Sequence, residues 1–331
     1  MRARALIALL PTLALVGCGS GENGSLVGAG STLVAPLVAQ WANAFNGATI
    51  TYGAIGSGAG IAQITARTVD FGASDAPFTP DQASSCTDCV QLPWALAATL
   101  VAYNVNGAPA QLKLSGPVLA DIYLGKVTHW NDKAIAALNP GANLPATKIR
   151  PVFRGDSSGD TYALSDFLAK TSPDWKAEKG VSTQIDFPVG EGGRGNEGVA
   201  AAIGRTDGAV GYLANSYVVA NKLHYALIRN QAGKFPVPGP GTIAAAAAAV
   251  KTIPRNNAIS LTNPPASAPD AYPISTFSYV LFPTTSGKGK TLGDFIRYAI
   301  GPGQKLGAKL QFAPLPPRVV AADEKTLAKL G

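Results

Sequence analysis

The run Arg154-Gly-Asp-Ser-Ser-Gly-Asp-Thr161 gathers one guanidinium, two carboxylates and several small hydroxyl-bearing residues. An apolar strand-like stretch, Ile149 to Phe153, precedes it, and Tyr162, Leu164, Phe167 and Leu168 follow at helical spacing, so the run falls at a helix N-terminus. The first turn of a helix carries unpaired N–H groups and the positive end of the dipole, which suffices to hold an anion without any catalyst. Gly28-Ala-Gly-Ser-Thr32 precedes a helix expected from near Leu33, and Gly56-Ser-Gly-Ala-Gly60 one expected from near Ile61. The pattern is three helix starts converging on one small oxyanion. Val69 to Asp75 reads as a strand that brings Ser74 and Asp75 to its C-terminal end, the side on which open α/β sheets bind ligands. An aspartate there can equally serve as a helix N-cap.

Other chemistries are less well supplied. Gly155-Asp-Ser157 resembles the start of a GDS-type nucleophile block, but a serine hydrolase needs a histidine base and the chain holds only His129 and His224, neither with a recognisable partner. The same scarcity leaves metal binding without ligands, and no cofactor is expected. Gly190 to Gly198 formally matches G-x-G-x-x-G, yet no acidic residue closes a second strand about 20 residues on, so a tight loop near the cleft is the better reading.

The elements that must position these residues alternate between strand and helix. With 331 residues, 47% of them apolar, the chain suits two domains, and 37 Gly and 25 Pro with only 14% charged residues favour an α/β protein with many turns. The formal charge of +7 includes Arg2 and Arg4; without them 25 basic residues face 20 acidic, leaving +5. No basic run accompanies that charge, which argues against a nucleic-acid face. Helices are expected around Leu33 to Phe45, Ile61 to Arg67, Leu119 to Leu138 with a break at Gly125, Val199 to Ile203 and Thr291 to Tyr298. Asn104 to Pro109 reads as a crossing between domains, and the apolar carboxy-terminal part as a return to the first one.

Met1 to Gly17 has basic residues followed by a short apolar core, the pattern of a secretory leader. It ends Leu15-Val-Gly-Cys18, which resembles a lipoprotein signal with Cys18 as the lipidated first residue and Gly19 to Ser25 as a tether; a plain signal peptide with a chance cysteine is the alternative. Export makes a local disulfide the default for Cys86 and Cys89, with a redox pair lacking its usual βαβ context.

Taken together, Gly28 to Leu37, Gly53 to Gly60, Val69 to Pro77, Asp121 to Lys126, Arg154 to Thr161, Gly195 to Val199 and Gly208 to Tyr212 strongly resemble, in family order, the periplasmic phosphate-binding proteins (PstS) of the high-affinity phosphate ABC transporter. The resemblance spans nearly the whole mature chain. It implies a two-lobed type II periplasmic binding protein fold, each lobe a mixed sheet flanked by helices, with residues 26–103 and 271–331 as lobe 1, 104–270 as lobe 2 and phosphate in the cleft. Carried over by position, the ligand contacts would be Thr32, Leu33 through its amide, Ser57, Asp75, Arg154, Ser158, Gly159 and Asp160, with Asp156 holding the Arg154 guanidinium flat. The implied partners are inorganic phosphate and the permease subunits, with a lipid anchor as the only membrane contact and the chain a monomer. Asp160 departs from the family, which usually has Thr there: a side chain aimed at the ligand would need a proton from phosphate, and the favoured expectation is that it turns away as a capping or arginine-pairing group while its N–H faces the ligand. The same fold tuned to sulfate is the alternative, although a site for fully ionised sulfate should offer donors only and Asp75 is an acceptor.

Overall fold

The computed structural model describes residues 24–330. The expected leader, Cys18 and most of the tether therefore lie outside the described residues. Gly24 and Ser25, expected in the tether, already belong to the first strand.

Strand β1 (Gly24–Gly30), helix α1 (Ala35–Ala44), β2 (Ala48–Ala54), α2 (Ser57–Thr65) and β3 (Phe71–Ser74) form a parallel β2-β1-β3 unit. Pro36 is tolerated in the first turn of α1, and Leu37, Val38 and Trp41 form the buried stripe that holds the helix on the sheet. Helix α3 (Pro80–Ser85), with its Thr79–Gln82 capping box, leads to β4 (Cys89–Asn104). That strand is 16 residues long and buried from Gln91 to Tyr103, which is why its sequence is nearly continuously apolar.

The middle of the chain supplies β5 (Lys113–Leu114), α4 (Gly116–Tyr123), α5 (Lys133–Leu138), β6 (Arg150–Arg154), α6 (Gly159–Thr171) and α7 (Pro173–Glu178). It continues through β7 (Glu191–Gly193), α8 (Gly195–Arg205), β8 (Ala209–Ala214), α9 (Asn215–Ala220), β9 (His224–Tyr225), β10 (Leu227–Ile228) and α10 (Pro240–Ala248). Then come β11 (Ser275–Pro283), α11 (Gly289–Ile300), two short 3₁₀ turns and α12 (Pro317–Leu327). The main sheet runs β2-β1-β3-β11-β4-β8-β6-β7, with β9 also on β4. Strand β4 carries both halves: Cys89 to Ala98 pair antiparallel with β11, and Thr99 to Asn104 with β8.

Several boundaries differ from the sequence expectation. Helix α2 starts at Ser57, not near Ile61, and α8 at Gly195, not Val199, so glycine runs read as loops are in fact first helical turns. Glycine is a poor helix former on propensity alone, but at Gly60 it is required by packing. A Cβ there would lie 2.6 Å from the Gly30 Cα and 2.7 Å from the Ala73 carbonyl oxygen, so α2 sits directly on the backbone of β1 and β3. Helix α12 was not expected at all, because its first turn is proline-rich; Pro317 falls where a helix needs no N–H. Among the described residues, no helix is long and apolar enough to cross a membrane.

Because backbone atoms cannot yield as a side-chain tip can, Gly60→Ala is expected to lower unfolding free energy by about 1–3 kcal/mol. Urea denaturation with an unchanged slope and a lower midpoint is the expected result.

Candidate functional site

The N-termini of α2 and α6 meet face to face. Ser57, the first residue of α2, accepts the Asp75 N–H at 3.2 Å and the Gly159 N–H, from the start of α6, at 3.1 Å. Next to this contact the Gly58 N–H donates to the Ser157 carbonyl at 3.1 Å. The approach is close enough that a Cβ on Gly159 would fall 2.3 Å from the Asp75 Cβ. Helix α6 starts here because Ser158 caps it, accepting the Asp160 N–H at 3.0 Å, and stays because Ala163, Leu164, Phe167 and Leu168 are buried. The turn at Thr32 to Val34 brings the third segment: the Thr32 and Leu33 amides donate to no acceptor among the described residues, while the Leu33 side chain is wholly in the core.

Arg154, at the end of β6, is the buried cation of the site. Its Nε donates to Asp156 Oδ1 at 2.8 Å and its Nη2 to Asp156 Oδ2 at 2.5 Å, a planar two-point pair, and its Nη1 donates to Asp160 Oδ2 at 3.0 Å. Two of the five guanidinium hydrogens are left over. Burial opposes the charge on Arg154, but its hydrogen bonds to Asp156 and the charges of the two carboxylates outweigh it and hold the group above the ordinary arginine value. Burial likewise works against a charged Asp156, yet Arg154 and the Gly195 N–H, at 3.0 Å, keep its carboxyl below the usual range.

Asp160 is fully buried. Its carboxylate takes Arg154, the Thr99 hydroxyl at 2.7 Å and the Asn196 amide at 3.0 Å, and still burial pushes its pKa up. The side chain thus pairs with the arginine. Its N–H, expected to face the ligand, instead donates to the Ser158 cap, because a capped helix uses that group itself. Asp75 directly follows β3, with no cation in contact among the described residues. Burial, then the nearby Asp160 charge, lifts its pKa to about 7, against the lowering effect of Ser31, Ser278 and Arg154. Ser278 lies beside Asp75 and favours its charged form, but its hydroxyl makes no hydrogen bond by distance and angle.

The eight ligand residues expected from the sequence therefore surround one place, between the two halves of the main sheet. Several residues at the same place were not anticipated. Ser31 donates to Asp75, Thr99 and Asn196 hold Asp160, Asn196 also donates to Thr32 Oγ1 at 2.8 Å, and Tyr217 donates to the Thr32 carbonyl at 3.1 Å. Thr99 did carry a signal, a lone hydroxyl in the apolar run of β4. Asn196 lies inside a quoted motif.

The rival chemistries find no support in these contacts. Ser157 Oγ donates to Thr183 Oγ1 at 2.9 Å, His129 Nδ1 contacts Thr128 Oγ1, and His224 stacks on Tyr103, so neither histidine reaches the serine. The Gly190 to Gly198 run forms β7 and the first turn of α8, where the Gly195 N–H pins Asp156. Cys86 and Cys89 are joined as a disulfide, as expected for an exported chain; with Asp88 they make up the described cluster of metal-type ligands, but their sulfurs are bonded to each other.

Residues 19–302 match the model of the PBP superfamily domain, and that match, with the mixed sheets flanked by helices, defines a two-lobed α/β binding protein of the type II periplasmic class. Sequence narrows this further. The chain is 40% identical over 305 residues to a phosphate-binding protein PstS of Xylella fastidiosa (90% of this chain, 83% of the relative). It is 37% identical over 327 residues to a phosphate-binding protein PstS of Pasteurella multocida (96% and 93%). The chain belongs to the PstS family. Among solved structures, a phosphate-binding protein from Stenotrophomonas maltophilia shares the fold at a TM-score of 0.70 and 19% identity, over 92% of this chain and 93% of that one. A putative phosphate ABC transporter substrate-binding protein from Clostridium perfringens, with bound phosphate, does so at 0.65 and 18%, over 88% and 100%.

A carboxyl whose pKa rises on folding is stabilising when protonated, so its contribution is complete below the ordinary value near 4 and is lost as pH rises toward 7. For Asp75 that loss is on the order of 4 kcal/mol. Asp75→Asn, a neutral isostere, is expected to flatten the decline in ligand-free stability between about pH 4 and 7, as read by denaturant titration at each pH.

Proposed function

We propose that this protein captures inorganic phosphate in the cleft between its lobes and delivers it to the permease of an ABC transporter. As a member of a solute-binding family it is a binding protein and not an enzyme. The observation that carries the reading is the convergence of the α2 and α6 N-termini on Arg154 and Asp75. Helix starts, free amides and guanidinium hydrogens are donors suited to the oxygens of a tetrahedral anion. Asp75 adds an acceptor among them, and phosphate near neutral pH still has a proton to donate whereas sulfate has none.

In this reading Thr32, Leu33, Ser57, Asp75, Arg154, Ser158 and Gly159 are the phosphate contacts, Asp160 belongs to the site through its pairing with Arg154, and Asp156 keeps the guanidinium planar and oriented. Lobe 1 comprises residues 26–103 with 271–331 and lobe 2 residues 104–270, β4 being the strand that both share. The relatives and neighbours whose names include phosphate binding support the ligand, and the leader pattern supports a periplasmic or surface location, anchored through a lipid on Cys18. Each hydrogen bond to a charged group contributes roughly 1.5–3 kcal/mol, so bonds at the helix starts, rather than net charge, supply the affinity.

Side-by-side calorimetry of phosphate and sulfate on the mature chain tests this. Arg154→Ala is expected to weaken phosphate binding at least about tenfold, since it removes the buried cation and leaves Asp156 and Asp160 uncompensated. An unchanged affinity would reject the site. Asp75→Asn is expected to lose discrimination against sulfate by a larger factor than it loses phosphate affinity; the opposite order rejects Asp75 as the selectivity element.

A further inference from the structure

We infer that Ser31 is a positioning residue that sets which oxyanion the site accepts, by holding the Asp75 carboxylate in its ionised, accept-only form. The inference rests on the phosphate reading above. Ser31 is fully buried, and its Oγ lies 2.7 Å from Asp75 Oδ1 and 2.6 Å from Oδ2. A hydroxyl has one hydrogen, so only one of those oxygens receives it at a time. From the other side the Val34 N–H donates to Ser31 Oγ at 3.3 Å. That bond occupies a lone pair and leaves the hydrogen to point at the carboxylate.

The neighbouring hydroxyls are placed differently. Ser57 Oγ already accepts two N–H groups, one from Asp75 and one from Gly159, and its hydrogen donates to Asp75 Oδ2 only at a long 3.4 Å, so it is the one more readily turned to a bound anion. Ser278 also favours the charged form of Asp75, but it makes no hydrogen bond by distance and angle and so acts more weakly than Ser31. Ser31 is therefore the hydroxyl committed to Asp75 by short contacts, and on the turn ahead of α1 the same oxygen also accepts the Val34 N–H. Its main-chain groups are used independently: the N–H donates to the Ala73 carbonyl and its carbonyl accepts the Tyr52 hydroxyl.

Hydrogen bonding to the charged form of a carboxyl favours that form. The charged and titratable groups facing Asp75 are Arg154 from β6, Asp160 from α6, Tyr52 from β2 and Tyr279 from β11. Asp160 pushes Asp75 toward protonation and Arg154 toward ionisation, while burial raises both tyrosines above their usual range and keeps them neutral at physiological pH. Asp75 is thus balanced near neutrality, and the Ser31 bond tips it toward the carboxylate. Without that bond Asp75 keeps its proton to a higher pH. A protonated Asp75 gains an O–H donor, and the pocket then offers a fully ionised oxyanion such as sulfate a hydrogen bond in place of a repelling negative charge.

Calorimetric titration of inorganic phosphate and sulfate into the wild type, Ser31→Ala and Ser31→Thr between about pH 6 and 9 tests this. In the wild type the preference for phosphate is expected to grow as Asp75 ionises. In Ser31→Ala the same rise should move up by about one pH unit, so that near pH 7 the preference falls about tenfold and recovers near pH 9. Ser31→Thr, which keeps the hydroxyl, should follow the wild type. A Ser31→Ala preference that tracks the wild type at every pH overturns the inference. So does an equal loss of both anions at every pH, which is what a purely structural turn residue would give. Should Ser31→Ala not fold, Ser31→Cys, a much weaker donor, is expected to show the same upward shift, and its absence is equally fatal. A wild type that binds neither anion rejects the proposed function instead.

Discussion

One guanidinium sits among three carboxylates, two buried and one half-buried, and the rest of the site follows from how that imbalance is resolved. A charge taken out of water is costly unless paired and hydrogen-bonded. Asp156 is paired in full with Arg154 and pinned by Gly195. Asp160 shares the remaining guanidinium edge and is completed by Thr99 and Asn196. Asp75 is left without a cation, and so its state depends on hydroxyl donors and on a proton. Such a site does not attract anions by bulk charge. In the proposed reading it recognises them by whether their protons and lone pairs match groups that are held in place.

Those groups are held in place by backbone packed at contact distance beneath them. Helix α2 rests on the main chain of β1 and β3 through Gly60, and the start of α6 rests on Asp75 through Gly159. Strand β4 runs through both halves of the sheet and carries Thr99, one of the Asp160 ligands, at the point where its partner changes from β11 to β8. A second tie comes from the segment after α10. Asn257 donates to the Gln91 carbonyl and Thr326, and Ile259 is held by Tyr279; Ser260 and Thr262 then grip Asp166 and Lys170 on α6. The helix that presents Ser158 and Gly159 is thereby braced from the side away from its N-terminus.

Much of this was legible in the chain. The three glycine- and hydroxyl-rich helix starts and the strand that leads to Asp75 were readable, because each depends on residues close in sequence and on periods that differ between strand and helix, while the Arg154–Asp156 pair came with the family resemblance. The family motifs added the order in which the pieces occur. The starts of α2 and α8 were misplaced, since a glycine run looks like a loop until the backbone it must lie against is known. Helix α12 was hidden behind its prolines.

What the sequence determined by itself is local: which segments are strands and helices, which helix starts carry donors, and that one arginine serves them. Only the tertiary structure decided the company each acid keeps. Asn196 and Thr32 are 164 residues apart, and Thr99 and Asp160 are 61 apart, yet they share one buried network. Ser31 reaches Asp75 across 44 residues because β1 and β3 lie side by side in the sheet. The protonation of a buried carboxyl is set by groups within a few ångströms and by the exclusion of water, and neither is written in the order of residues along the chain.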